Sequence, residues 1–300
     1  MSRLARSPLA PVLGKHLAVR GSARLLYRSY AAAAGPDLPS RHSITRHGDR
    51  FDVDLSSFLE WQLWAFGGYE DHLAALFTFL ARRGDRCIDV GANIGIHTVR
   101  LAKLVGAQGE VVAFEPDAGL ARKLRRNIAL NDLTHVRIVG AAASDHSGSV
   151  TLYRPDTQDP NKGRASMLPH AYLTGPSTTV PCVTIDEVAA GPVSVMKIDV
   201  EGNEAAVLAG AGRTIEQQTP AIVFEYDPAL VAAGGASAYC HLDWLGNAGY
   251  AFFAIRSKRH SLGGRGALEL GRLQSRPDTA VNLVAVPGPM TRQLGDLVRS

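Results

Sequence analysis

From residue 86 onward the hydrophobic pattern of the 300-residue chain keeps changing period. The runs "RCIDVGA", "EVVAFEP", "VRIVGAA", "VSVMKIDVEG", "AIVFEY", "YAFFAI" and "VNLVAVP" have the length and branched apolar content of buried strands. Between them apolar residues recur at helical spacing. Ile94, Thr98, Leu101, Ala102 and Val105 share one face before Gly106, and Leu120, Leu124 and Ile128 share the next. Further helices are expected from about Asn203 to Gly210 and near Trp244. Strands alternating with helices over such a length predict a mostly parallel sheet covered on both faces. Upstream, "RFDVDL" alternates like a strand, so the compact domain is expected to begin near Phe51. Leu73, Leu76, Phe77 and Leu80 form a helical stripe, with Gly84 placed to cap its C-terminus.

Charge divides the chain. Lys plus Arg number 32 and Asp plus Glu 28, but residues 1–50 carry nine basic residues against Asp37 and Asp49. The remaining body is therefore net negative by three, which argues against a nucleic-acid-binding core. Residues 1–45 are read as a basic, partly ordered arm whose short helices break at Gly21 and at Gly35-Pro36. A peripheral membrane contact through that arm stays open as the alternative. Residues 46–300 are read as one domain. No charge-free apolar run approaches the ~18 residues of a membrane span. The arm is Arg-rich, as in a mitochondrial presequence, but has no compact apolar signal region, and a cytoplasmic location is expected. Cys87, Cys182 and Cys240 are widely spaced and form no CxxC, so neither disulfide nor zinc site is expected.

Residues 150–185 interrupt the alternation. "SVTLY" and "TTVPCVTI" read as an inserted hairpin, joined by a polar, Pro- and Gly-rich segment. A long loop within a compact domain is usually functional or disordered, and residues 155–178 are expected to form a mobile lid or an acceptor-binding segment.

The segment "CIDVGANIGIHT" holds the first functional signal. A strand that ends in a glycine turn and enters a helix suits a nucleotide-like ligand at the carboxyl end of the sheet. Gly91 and Gly95 let backbone approach closely. Two ligands share this layout, a dinucleotide and S-adenosylmethionine (SAM). The dinucleotide fingerprint requires G-x-G-x-x-G, whereas this turn is G-x-x-x-G. Asp89, two residues before Gly91, would repel a pyrophosphate but suits an ammonium and a sulfonium. Glu115 ends the next strand, where a carboxylate can accept both hydroxyls of a ribose.

Together with "GGYE", "LRRNIALN", "AASDHSG", "VTIDEV" and "MKIDVEGNEAAVLAGA", these segments resemble the FkbM family of SAM-dependent methyltransferases over roughly residues 60–288. "KIDVEGNE" at this distance behind "DVGANIG" is the most specific part. The resemblance implies an α/β class I (Rossmann-like) fold, a seven-stranded mostly parallel sheet with an antiparallel last strand. It also implies methyl transfer, most often to oxygen in small metabolites or sugars. Carried over, Asp89, Gly91, Ala92, Asn93 and Gly95 line the methionine end of SAM and Glu115 holds the ribose. The segment Ala143-Ser144-Asp145 meets the adenine, although Asp145 could equally cap a turn. Glu70 is either a SAM contact or a charge favoured by a helix N-terminus.

A second cluster lies at the end of "VSVMKIDVEG". Lys197, Asp199 and Glu201 alternate and so tend to project the same way. Charges in an apolar strand are costly unless paired or used. A structural reading makes Lys197 a buried ion-pair partner, and a functional one places all three at the reacting groups. Asp199 and Glu201 are the candidate bases for an acceptor hydroxyl, with Glu225 in "VFEY" a further candidate. Magnesium held by Asp199, Glu201 and Glu225 is conceivable, but metal-free catalysis is favoured because no further ligand is evident. The expected activity is O-methylation of a hydroxyl on a small molecule, glycan or lipid acceptor. N-methylation and RNA modification are the alternatives, and a nicotinamide-dependent oxidoreductase is more distant.

Overall fold

The strand runs pair because each of them is apolar on both faces. The structure, a computed structural model, describes residues 22–34, 40–45, 47–233, 240–258 and 267–299. The helical stretch expected before Gly21 lies outside the described residues. Helix α1 (Ser22–Ala34) precedes a two-stranded antiparallel ribbon, β1 (Ser40–Ile44) with β2 (Arg50–Asp54). Two helices follow, α2 (Phe58–Phe66) and α3 (Asp71–Leu80). The alternating part runs β3 (Arg86–Val90), α4 (Ile96–Val105), β4 (Glu110–Phe114), α5 (Ala118–Leu130) and β5 (Val136–Val139). Next come β6 (Ala142–Ala143), β7 (Gly148–Leu152), β8 (Thr178–Val183) and the short α6 (Ile185–Val188). The chain then forms β9 (Val195–Ile198), α7 (Glu204–Ala209), α8 (Gly212–Gln218), β10 (Ala221–Tyr226) and α9 (Pro228–Ala233). It ends in α10 (Cys240–Asn247), β11 (Tyr250–Lys258), β12 (Ala267–Arg272), β13 (Val281–Pro287) and α11 (Gly288–Arg299).

The principal sheet has the order β12-β11-β13-β10-β9-β3-β4-β5. From β10 to β5 its neighbours are parallel, and β13 is antiparallel to both β10 and β11. This is the class I arrangement expected, with one addition. An eighth strand, β12, pairs antiparallel with β11 at the edge, where seven strands were expected. The inserted hairpin is present as β7 and β8, and β6 joins it in a separate three-stranded sheet.

The two-residue period of the strands sorts the core. Ile88, Val90, Val112, Phe114, Met196, Ile198, Ile222 and Phe224 face α7, α8 and α10. Cys87, Val111, Val195 and Val223 face the other way, onto the stripe Leu73, Leu76, Phe77 and Leu80 of α3 and onto Leu101 and Val105 of α4. Burying each such side chain stabilises by about 1.5–3 kcal/mol, enough to hold the strand ends in fixed register. Gly106 closes α4, as expected, at a positive φ of +68° that favours glycine. Gly84 does not cap α3. That helix stops at extended Ala81, and Gly84 instead turns the chain into β3, its N–H donating to the Val105 carbonyl.

Part of the expected arm is joined to the body. Ser40–Ile44 pairs with β2, and Tyr27 of α1 is buried edge-on against Phe58 and Trp61 while its hydroxyl donates to the Ser56 carbonyl at 2.6 Å. Among the described residues no helix is long and apolar enough to cross a membrane.

Candidate active site

Four parallel strands deliver their last residues to one edge of the sheet. Hydrogen bonding continues past the strands: the Gly91 and Ala92 N–H groups donate to the Phe114 carbonyl, and the Asp199 N–H to that of Val90. A β-carbon at Gly91 would meet the Asp199 carbonyl oxygen at 2.0 Å, and Gly91 has a φ of +75°. That glycine brings the turn after β3 against the end of β9. Gly95 works differently. It starts α4, and a β-carbon there would strike Leu124 of α5 at 2.5 Å. Its missing side chain makes room for helix packing, where the sequence suggested ligand approach.

These ends enclose a cavity of about 370 Å³. Of the residues expected to hold cofactor, Glu70, Gly91, Ala92, Asn93 and Glu115 line it, as do Lys197, Asp199, Glu201 and Glu225. Asp89, Gly95, Ser144 and Asp145 do not. Asp89 is fully buried behind the wall. The wall near the third parallel strand is made by Ala142 and Ala143, so that of the expected segment Ala143-Ser144-Asp145 only Ala143 lines the cavity. Ser144 is buried and donates its N–H to Val183, while Asp145 is exposed and pairs with His146 at 2.7 Å.

Glu115 is 5 % exposed, and both its oxygens already accept backbone N–H groups, from Asn93 at 2.8 Å and from Asp117 at 2.9 Å. Burial pushes its carboxyl up to about 7 against those two bonds. Each oxygen keeps a lone pair for a ligand hydroxyl. Asn93, which supplies one of the bonds, is left-handed at φ +52°.

Lys197 joins two carboxylates. Its ammonium lies 3.2 Å from Asp199 and 3.7 Å from Asp89, and it reaches the Gly91 carbonyl at 3.4 Å. Thr98 donates to the second oxygen of Asp89 at 2.5 Å. Burial opposes the lysine charge, but Asp199, Asp89 and Glu70 outweigh it and hold the ammonium well above the usual lysine range. Both the structural and the functional reading of Lys197 thus have a physical basis: it neutralises Asp89 beneath the cavity and Asp199 on its surface.

Glu201 is held by the insert. Arg164 grips its carboxylate with two bonds, at 3.1 and 3.0 Å, and the Tyr172 hydroxyl donates to it at 3.3 Å. Ser166 donates to the Glu201 carbonyl at 2.8 Å, and the Arg164 guanidinium lies 4.5 Å from the Tyr172 ring centre. Residues 155–178 are thereby fixed across the cavity. They are tied again where Phe58 donates to the Pro160 carbonyl and Arg154 pairs with Asp117.

Glu225 differs from its neighbours. It lines the same cavity, half-buried, and makes no ion pair or side-chain hydrogen bond among the described residues. Burial, and then the charges of Asp199, Glu201, Glu204 and Glu70, push its carboxyl up to about 8. Glu70, at φ +48°, contacts His97 at 3.0 Å. Burial would raise Glu70, but His97, Lys197 and His72 bring it below its ordinary value. His97, Arg164, Tyr69 and Tyr172 were not singled out in the sequence. Each takes its role from a partner distant along the chain, and only the placement of His97 in the first turn after "GANIG" hinted at one.

The cavity therefore presents five carboxylates, Glu70, Glu115, Asp199, Glu201 and Glu225, against the cations Lys197 and Arg164. That excess repels a pyrophosphate and suits a ligand bearing an ammonium and a sulfonium. The family model for the methyltransferase FkbM domain matches residues 89–252. The chain belongs to the FkbM methyltransferase family. As a member, this FkbM methyltransferase takes SAM as its cofactor, and the acid-rich cavity fits that group. No curated protein matches the chain. Among solved structures, a methyltransferase FkbM from Methylobacillus flagellatus KT is 15 % identical, covering 95 % of this chain and 60 % of that one at a TM-score of 0.41. SMU.1697c from Streptococcus mutans, a methyltransferase solved with SAH, is 9 % identical, with 72 % and 96 % covered at 0.42. A SAM-dependent O-methyltransferase from Thermotoga maritima is 15 % identical, with 73 % and 66 % covered at 0.39.

Proposed function

We propose that this enzyme methylates a hydroxyl group on a small metabolite, sugar or lipid, and that Glu225 takes up the hydroxyl proton. The observation that carries the reading is the contrast among the three acids at the strand ends. Asp199 is neutralised by Lys197 and Glu201 by Arg164, whereas Glu225 has no cation partner among the described residues. A carboxyl near 8 is a stronger base than an ordinary one, provided that it is ionised when the acceptor arrives. A positive ligand in the same cavity favours the ionised form, so cofactor binding prepares the base.

SAM supplies a methyl carbon activated by its sulfonium. The remaining work belongs to the protein. Glu115 is placed to hold the ribose hydroxyls, while Gly91, Asn93 and Glu70 surround the methionine end and Ala142 and Ala143 offer an apolar wall to the adenine. Asp199, fixed by Lys197 yet 40 % exposed, can orient an acceptor hydroxyl toward Glu225. The insert, clamped on Glu201, forms the outer wall and excludes water. The acidity of the cavity supports a small neutral acceptor over RNA at the reacting groups.

Mass spectrometry of metabolite, glycan and lipid extracts incubated with the enzyme and isotopically labelled SAM tests the assignment. Label on an oxygen of a small acceptor is expected. Label on nitrogen, or only on RNA, would overturn it.

A further inference from the structure

A second cavity, of about 430 Å³, adjoins the first and shares Leu59, Asn93, Leu120 and Gly163 with it. Its lining has the opposite charge. Arg122, Lys123 and Arg126 enter from α5 and Lys162 from the insert, against Glu60 and Asp117. On the helix, 122 and 126 are one turn apart and so face the same way. The sequence alone suggested that this basic run was only the wet face of α5. Lys162 and Gly163 of the insert lie beside it, however, so that part of that face lines an open cleft.

The four cations are not equally engaged. Lys123 pairs with buried Glu60 at 2.7 Å. Arg126 meets Asp52 through one nitrogen at 2.5 Å and stays largely exposed, and Lys162 lies 3.5 Å from Asp54. Arg122 has no partner among the described residues. Its guanidinium folds back toward Gly119, in the first turn of α5. Asp117 is already used, accepting the Gly119 and Leu120 N–H groups and pairing with Arg154. Lys162 also donates to the Ser56 hydroxyl, so free donor capacity remains on Arg122, on the other nitrogens of Arg126 and on one N–H of Lys162, all on the solvent-exposed lining of one cleft.

The cofactor has no phosphate, so its chemistry leaves this arrangement unexplained. We propose that the second cavity binds a phosphate group, carried by the small acceptor whose hydroxyl is methylated in the first. The inference rests on the first cavity being the methyl-transfer site. Phosphate is the fitting anion because a guanidinium meets two of its oxygens at once. A small ligand fits better than a nucleic acid, since the cleft opens beside the first cavity and the body outside residues 1–50 is net negative.

The test is calorimetric titration of the full-length protein, saturated with S-adenosylhomocysteine, using glucose 6-phosphate, inorganic phosphate and glucose as probes. Glucose 6-phosphate is expected to bind and glucose not. Arg122→Ala should weaken the phosphate ester about tenfold, and Arg122→Ala with Lys162→Ala together by about a hundredfold. Tighter binding of the ester than of inorganic phosphate supports an acceptor-borne group, whereas equal affinities would make this a free-phosphate site and overturn that part. No binding of either phosphate, or binding indifferent to both substitutions, overturns the site. Preference for a short single-stranded RNA would overturn the small-molecule assignment. The S-adenosylhomocysteine affinity, measured first in each variant, confirms folding and separately tests the methyl-transfer site, since neither residue lines it.

Discussion

Glu115 and Glu225 end two parallel strands of one sheet, face one cavity and are both pushed up by burial, to about 7 and about 8. They are nevertheless held in opposite ways. Two backbone N–H groups fix the Glu115 carboxylate in place, so it can accept further hydrogen bonds without moving. Glu225 has no such bonds and is surrounded by other acids. A satisfied buried carboxylate is suited to recognition, because its orientation is settled before ligand arrives. An unsatisfied one is suited to proton transfer, because no fixed donor occupies its lone pairs and they can take a proton from an acceptor hydroxyl.

Lys197 stands between the two halves, and its removal is expected to have the largest effect. Lys197→Met would leave Asp89 fully buried without a cation and should destabilise the fold by about 3–5 kcal/mol in urea denaturation. Adding Asp89→Asn should recover part of that loss. A change below about 1 kcal/mol would mean that the pair acts like a surface contact and does not tie the halves together.

Glu225→Gln should lower kcat by roughly a hundredfold or more while leaving SAM affinity nearly intact. A smaller change, or an equal loss of SAM binding, would place Glu225 with Glu115 among the binding groups. The proton acceptor would then have to be Asp199 or Glu201, as the sequence suggested. Glu115→Ala sharpens the other side: it should weaken SAM by about 1.5–3 kcal/mol in calorimetry, with any effect on kcat secondary. Unchanged affinity would remove Glu115 from the cofactor site.

The smallest effect expected is on pH dependence. Both carboxyls have folded values above their unfolded ones, so the folded state binds more protons between about pH 4.5 and about pH 8. The stability that they contribute is present at the acid end and lost as pH rises through that window. Without SAM, melting temperature should therefore fall from about pH 5 to about pH 8, less steeply in Glu225→Gln. Identical slopes would show that Glu225 titrates normally.

Much of this was legible beforehand for a simple reason. Strands buried on both faces must be apolar throughout, so a charge at their ends is conspicuous, and Glu115, Lys197, Asp199 and Glu225 were all found that way. Helix α2, "FLEWQLWAF", has no sequence signal, because a nine-residue run broken only by Glu60 and Gln62 carries no period to separate helix from strand. Strand β12 pairs only at an edge and alternates weakly. Of the segment expected at the adenine, Ala143 lines the cavity, whereas Ser144 is tied to Val183 and Asp145 pairs with His146 in solvent, contacts that the local sequence does not announce. The ion pairs that distinguish Glu201 from Glu225 depend on where the insert crosses the strand ends, and local sequence does not encode that crossing.

Glu70, Asn93 and Glu201 are left-handed without being glycine, and all three line the cavity. Such a backbone costs on the order of 1–3 kcal/mol per residue. For anyone engineering the enzyme, stability and usefulness therefore pull apart at these positions. Glycine at any of them would relieve the backbone and be rewarded in a search for heat tolerance. Each replacement would also delete a side chain from the cavity wall, so a library ranked by melting temperature alone would drift toward proteins that endure heat and no longer hold their ligands.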